Sequence, residues 1–242
     1  MTARPPQVVL LAGGAGTRLR AVTGDVPKVL VPVGDRPFVE LLLDQYEGTG
    51  VRDVHLCLGV HADQVLAHLA RHPRPGLRVT WTVEDRPLGT AGCLRLAAPA
   101  LHDEFAVVMG DSLLTEPVGE LAGRWHATGR EAAMAVLHNE GALVPSNVAV
   151  ADGLVVTYDK HAAPGSLEHV DYGVLLLRRA GLARLPDAAP QDLGALVASL
   201  VADGELAALE VGRRFYEIGS PRGLAELRAV VGHGPGADRV PA

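Results

Sequence analysis

The segment Val8-Val9-Leu10-Leu11-Ala12-Gly13-Gly14-Ala15-Gly16-Thr17-Arg18-Leu19 runs from four consecutive apolar residues straight into a glycine-rich turn. A short unbroken apolar run closed by turn residues marks a strand buried on both faces, as in a parallel sheet. Gly13, Gly14 and Gly16 lack a Cβ, so backbone N–H groups there can approach a polyphosphate closely. The helix expected next adds the positive end of its dipole. The Arg18 guanidinium can fork onto phosphate oxygens. No Gly-Lys-Ser/Thr follows, so this is not a Walker loop, and Leu19 stands where a dinucleotide fingerprint needs its third glycine. Taken alone, the loop reads either as a structural turn or as a site.

Ten residues beyond Arg18, Lys28 lies inside Val26-Pro27-Lys28-Val29-Leu30-Val31-Pro32. A lysine in so apolar a run is either a surface residue snorkelling its ammonium to water or a second cation for the same phosphates. Outward from here the pattern alternates. Helical spacing is expected over Phe38–Gly48, Ala62–Leu69, Thr90–Ala97 and Val118–Thr128, and strands over Asp53–Gly59, Arg78–Val83, Phe105–Met109 and Ala132–Leu137. Strand–helix alternation of this length implies a parallel sheet with helices on both faces. Ligands of such sheets sit beyond the carboxyl ends of the strands, which is where the glycine loop and Asp111 fall.

The second part changes character. Asn147–Val150 and Leu154–Tyr158 read as a hairpin around Asp152-Gly153. A strand over Val170–Arg178, a helix over Gln191–Ala202, a strand over Leu206–Val211 and a helix over Pro221–Val231 follow. Residues 232–242 read as a flexible tail. With no repeat and no linker, residues 1–242 are taken as a single domain whose two halves, 7–140 and 141–231, differ in character.

The 242 residues, 48% hydrophobic and 21% charged, have the balance of a soluble α/β domain. With aromatics at 4%, Leu, Val and Ala must fill the core. A net charge of −6 without any basic run argues against a nucleic-acid partner; a phosphate site has to be built locally. Cys57 and Cys93 sit in apolar settings, as small buried residues in a reducing cytoplasm do. Neither has a second Cys or His at a recognised zinc-ligand spacing. His61, His68 and His72 fall on or beside an expected surface helix. There is no apolar signal segment near Met1, and no apolar run approaches the ~18 residues of a membrane span. A cytoplasmic protein without a membrane partner is expected, and homo-oligomerisation is left open.

Leu11-Ala12-Gly13-Gly14-x-Gly16-Thr17-Arg18-Leu19 followed by Pro27-Lys28 resembles the signature of the sugar-phosphate nucleotidyltransferase family. The likeness continues through Glu84-x-x-Pro87-Leu88-Gly89-Thr90-Ala91-Gly92, Gly110-Asp111-Ser112, Asp159-Lys160 and Glu217-Ile218-Gly219-Ser220-Pro221. It spans about residues 7 to 230. The resemblance implies a Rossmann-like α/β fold: a mixed, mainly parallel sheet with helices on both faces, of the nucleotide-diphospho-sugar transferase type. It implies nucleotide binding by Leu11, Ala12, Gly13, Gly14, Gly16, Thr17, Arg18 and Lys28, with Glu84, Gly89 and Thr90 beside the base. Thr90 also reads as a helix N-cap. Arg18, Lys28 and Asp111 are the implied catalytic residues. Asp111 and Glu217 are the implied Mg²⁺ ligands, and Asn147, Asp159, Lys160, Tyr172 and Gly173 the sugar-phosphate contacts.

Three positions depart from the family pattern: Asn147 near a usual glycine, Asp171 where Asn is usual before Tyr172-Gly173, and Glu217 where Asp is common. Glu217 has a second reading as a surface carboxylate paired with Arg213 or Arg214.

The implied reaction is attack by a sugar 1-phosphate on the α-phosphorus of a nucleoside triphosphate. The nucleophile is already an anion, its second pKa being ~6, so no general base is needed, and no Ser-His-Asp or Cys-His set is evident. Phe38-Val39-Glu40 and Phe215-Tyr216-Glu217-Ile218-Gly219 look most like the heptose 1-phosphate and mannose 1-phosphate guanylyltransferase branch. The expected acceptor is a heptose or hexose 1-phosphate, with GTP ahead of ATP, then dTTP, UTP and CTP. A catalytically silent nucleotide-sugar-binding subunit and an enzyme for a non-sugar phosphorylated acceptor are the alternatives.

Overall fold

The computed structural model describes residues 5–14, 24, 26–139, 143–185 and 190–232. In chain order they form β1 (Gln7–Leu11), a small hairpin of β2 (Pro32–Val33) and β3 (Arg36–Pro37), α1 (Phe38–Asp44), β4 (Asp53–Leu58), α2 (Ala62–Arg71), β5 (Arg78–Val83), α3 (Gly89–Ala97), β6 (Glu104–Met109) and β7 (Ser112–Leu113). There follow α4 (Val118–Thr128), β8 (Ala132–His138), β9 (Val148–Ala151), β10 (Leu154–Tyr158), β11 (His169–Arg178), α5 (Leu193–Ala202), β12 (Leu206–Val211), β13 (Tyr216–Glu217) and α6 (Pro221–Gly232).

One nine-stranded sheet, ordered β5-β4-β1-β6-β11-β8-β12-β10-β9, runs through both halves. Every residue of β1 is buried, as its unbroken apolar run predicts. It pairs in parallel with β4 and β6, and β4 with β5. Side chains of β1 alternate between faces. Val8 and Leu10 join a core with residues of α1, α2, α4 and α6. Val9 and Leu11 join the opposite core, with α3 and α5. The small residues of α3, Ala91 and Ala97, let that helix lie close to the sheet, with Leu94 filling the gap. Fully burying each such leucine contributes about 2 kcal/mol.

The second half changes strand direction. β11 lies antiparallel between β6 and β8, β12 returns parallel to β8, and the β9–β10 hairpin closes that end. Asp152 and Gly153 both take positive φ (51° and 74°), the turn that a tight hairpin requires. β9 also meets β11 through Val148 and His169, so the last strands curl back on themselves. Along β11 the ladder advances from Asp171 to Leu175 while its partner advances only from Val136 to Met134.

Among the described residues no helix is long and apolar enough to cross a membrane. Beyond Gly232 the expected tail lies outside the described residues.

Candidate active site

The carboxyl ends of β1, β4, β5 and β6 open onto one cleft of about 290 Å³. Leu11, Ala12, Gly13 and Gly14 line it from the end of β1, and Lys28, Glu84, Gly89, Thr90 and Asp111 from the loops around. The expected Gly16, Thr17 and Arg18 lie outside the described residues. The glycine requirement is visible at Gly13, where a Cβ would stand 3.2 Å from the Gly59 nitrogen and 3.4 Å from the Glu84 carboxylate. Gly110 serves the neighbouring strand end likewise: a Cβ there would lie 2.5 Å from the Leu11 carbonyl oxygen.

Glu84 shapes the next loop by accepting the Leu88 N–H at 3.0 Å. That loop is fastened to the start of α5. Gln191 donates its N–H to the Leu88 carbonyl at 2.8 Å and accepts from Ala91 at 3.0 Å. Gly89, at φ +77°, presses so closely on the Gln191 backbone that no side chain fits. The expected N-cap role of Thr90 is not what forms. α3 begins at Gly89 after Leu88 without a side-chain cap, and Thr90 Oγ1 accepts from the Leu193 N–H at 2.7 Å instead. The hydroxyl satisfies an orphan donor of α5, joining the two halves across the cleft.

Lys28 follows Pro27 in a short 3-10 turn, Lys28–Leu30. Val29 and Val31 anchor that turn in the core, so Lys28 is directed inward rather than to open water. Its Nζ pairs with Asp111 Oδ2 at 2.5 Å, and the two side chains are 15% and 24% exposed. Asp111 follows β6, and its carbonyl accepts the Ile218 N–H at 2.9 Å. The antiparallel pairing of β7 with β13 sets Glu217 opposite Ser112. Glu217 therefore arrives beside Asp111. Gly219 marks the meeting point: a Cβ there would lie 2.7 Å from Glu217 Oε2, 3.1 Å from Asp111 Oδ2 and 3.2 Å from Lys28 Nζ. Two carboxylates converging on space kept clear by a glycine suit a hard, oxygen-seeking cation.

Glu217 has a second task. It accepts the Ser220 N–H at 3.0 Å and its hydroxyl at 2.5 Å. Ser220 Oγ in turn accepts the Gly223 N–H at 3.0 Å, capping α6 as Pro221 opens it. The surface-pair reading of Glu217 gives way, because Arg213 pairs with Glu116 and Arg214 with Glu226.

Among the residues expected to contact the sugar phosphate, Asn147 Oδ1 accepts the Asp171 N–H at 2.9 Å, and its carbonyl accepts the Asp159 N–H at 2.9 Å. Asp159 Oδ1 takes the His161 N–H at 2.8 Å. These two residues shape the loop that carries Lys160. The Lys160 ammonium pairs with Asp192 Oδ1 at 2.7 Å and lies 5.9 Å from the centre of the Tyr158 ring.

Tyr172 is a correction. Its side chain is fully buried on the other face. Its hydroxyl accepts the Thr115 and Glu116 N–H groups at 2.9 and 3.2 Å, and its ring meets Phe215 edge-on. Tyr172 shares its face of β11 with Val170, Val174 and Leu176, so regular alternation sends the side chain into the core. Gly173, at φ +87°, and Asp171 stay on the site side, lining a small cavity of about 20 Å³ with Met109, Met134, Tyr158 and Leu193. Burial raises the Asp171 carboxyl above its ordinary range, although it accepts the Gly173 N–H and the Tyr158 hydroxyl. Tyr158, Gln191 and Asp192 were not singled out beforehand, because each acts through a partner distant in sequence.

A parallel strand edge with a glycine loop, an inward lysine and two converging carboxylates defines a nucleotide-diphospho-sugar transferase-type fold. The chain belongs to the family described as nucleotidyl transferase, whose model matches residues 7–142. It is similar to a glucose-1-phosphate thymidylyltransferase of Streptomyces griseus, 33% identical over 122 residues, which are 50% of this chain and 34% of that protein. It is also similar to a D-glycero-alpha-D-manno-heptose 1-phosphate guanylyltransferase of Campylobacter jejuni, 28% identical over 115 residues, 48% of this chain and 52% of that one. The chain thus spans about a third to a half of these curated relatives. Among solved structures, HddC of Yersinia pseudotuberculosis complexed with GMP-PN has the same fold: TM-score 0.80, 22% identity, covering 93% of this chain and 98% of that one.

Proposed function

We propose that the protein transfers a nucleoside monophosphate from a nucleoside triphosphate to a sugar 1-phosphate, releasing pyrophosphate. The observation that carries this reading is the convergence of Lys28, Asp111 and Glu217 on Gly219 at the mouth of the cleft. The reacting groups are two anions that repel, so the site's task is alignment and neutralisation. The backbone of Gly13 and Gly14 cradles the triphosphate, together with Arg18. Lys28 neutralises charge at the phosphate undergoing attack. Lys160 leaves Asp192 to hold the incoming sugar phosphate, and Asn147, Asp159 and Gly173 shape its pocket. Asp111 and Glu217 hold Mg²⁺, which when bound neutralises phosphate charge.

For the nucleotide we favour GTP and for the acceptor a heptose or hexose 1-phosphate, acting in the cytoplasm. The guanylyltransferase relative and the GMP-PN complex support that choice, and the thymidylyltransferase keeps dTTP in the comparison. A silent binding subunit has no need for the converging lysine and carboxylates.

The test is a pyrophosphate-release screen of five nucleoside triphosphates against a panel of sugar 1-phosphates, with Mg²⁺ and with EDTA. Turnover with GTP, abolished by EDTA and reduced about 10²–10³-fold in Lys28→Ala, is expected, by analogy with loss of one preorganised donor. Absence of turnover with every pair, or full turnover in chelator, overturns the reading.

A further inference from the structure

Away from the cleft, His68 lies in the last turn of α2, and His72 is the residue that ends the helix. Their rings stack at 4.2 Å with 21° between planes. Opposite them stands Glu40 of α1, whose Oε1 lies 3.0 Å from His68 Nε2. One ring nitrogen of each histidine and a carboxylate oxygen of Glu40 all lie within 4.8 Å of one another. The sequence placed these histidines on or beside a surface helix, yet His68 is only 8% exposed.

We propose that Glu40, His68 and His72 form a binding site for a transition-metal dication of the zinc class, joining α2 to α1. Two features support it. First, His72 Nδ1 lies 3.0 Å from the His68 carbonyl. A carbonyl only accepts, so Nδ1 carries the proton and Nε2 keeps a free lone pair, as a metal-ligating imidazole requires. Second, the far oxygen of Glu40 is gripped by Arg36 Nε at 2.9 Å, with Arg74 at 3.8 Å. Ligating carboxylates are commonly oriented by such outer partners. Those arginines also pair with Asp44, and Arg74 with Glu47, so the patch is not left cationic.

Two imidazoles and one carboxylate select zinc-like ions over Mg²⁺, and the exposed side of His72 leaves a position for water, as in three-ligand zinc sites. The site is separate from the cleft by topology. α2 runs back from the carboxyl end of β4 and ends shortly before β5 begins, at the opposite edge of the sheet.

The experiment uses untagged, chelator-stripped full chain with excess Mg²⁺ present to occupy the oxygen ligands of the cleft. Zinc is titrated calorimetrically, and Co²⁺ is used as an absorbing substitute. One zinc per chain, a higher melting temperature with zinc, and a Co²⁺ spectrum of low-coordinate nitrogen ligation are expected. His72 is exposed, so His72→Ala should fold, and it should weaken zinc binding by at least about tenfold. His68→Gln should remove the Co²⁺ spectrum. No zinc binding by the wild-type chain, or binding unchanged in either variant, overturns the proposal.

Discussion

Two lysine–carboxylate bridges, one lining the cleft and one outside its lining, sit in unlike surroundings. Lys28 and Asp111 are 15% and 24% exposed, and lie between core valines and the β7–β13 ladder. Lys160 and Asp192 are 45% and 60% exposed, at the end of a hairpin. An ion pair withdrawn from water feels a lower dielectric and is held more firmly, whereas an exposed pair contributes about 0–1 kcal/mol. The Lys28 bridge is thus preorganised by backbone and core, and the Lys160 bridge is built from side chains that exchange partners at little cost. That division is what the proposed reaction asks for, if the nucleotide is clamped at Lys28 while the sugar phosphate enters at Lys160.

The largest effect should come from Glu217, which reaches the preorganised side from the end of the chain. Glu217→Ala is expected nearly to abolish turnover, since it removes a proposed metal ligand along with the acceptor for Ser220. Glu217→Gln keeps an acceptor for the Ser220 N–H but loses the charge. It should melt near wild type and still be almost as inactive, while Glu217→Asp retains an intermediate rate. Rates across a Mg²⁺ titration, paired with melting curves, separate capping from catalysis. Wild-type turnover and an unchanged Mg²⁺ midpoint in Glu217→Ala would remove Glu217 from the metal site.

Lys160→Ala probes the looser side. Loss of a charge-assisted hydrogen bond to phosphate, about 1.5–3 kcal/mol, should raise the KM for the sugar phosphate roughly ten- to a hundredfold. The nucleotide KM and the melting temperature should barely move, because only an exposed bridge is lost. Initial rates with each substrate varied decide this; an effect confined to the nucleotide would reverse the assignment of sides.

The smallest effect concerns Asp171, between the two. Its carboxyl is raised by burial, so the folded state disfavours its ionised form. That cost is full at pH above the raised folded value and vanishes below the ordinary carboxylate value of ~3.9. Asp171→Asn should therefore melt about 2–4 °C higher at neutral pH, equivalent to roughly 1 kcal/mol for a chain of this size. The gain should shrink as pH falls through the raised value. A gain independent of pH would mean that packing, not charge, explains it.

Most strands and helices were legible because their signals are local. The buried run of β1, the Asp152-Gly153 turn and the Ser220-Pro221 helix start each depend on neighbouring residues alone. The two-residue strands β7 and β13 were not, since neither has enough length to show a period. Yet their pairing is what delivers Glu217 to Asp111. Tyr172 was misplaced for a different reason. Alternation along β11 groups it with Val170, Val174 and Leu176 and sets Gly173 on the other face, so the two neighbours do not line one pocket. Thr90 had the residue type of a cap, but which helix it caps depends on α5, far along the chain.

By itself, then, the sequence determined the sheet's parallel first half, the glycine loop at its edge and the family to which the chain belongs. Short-range sterics and hydrophobic periodicity are written residue by residue. Only the tertiary structure decided that Lys28 turns inward to Asp111, that Glu217 joins them around Gly219, that Tyr172 faces the core, and that Glu40 meets His68 and His72. Each of these depends on a contact between segments that no local spacing encodes, and such contacts exist only once the sheet has brought those segments together.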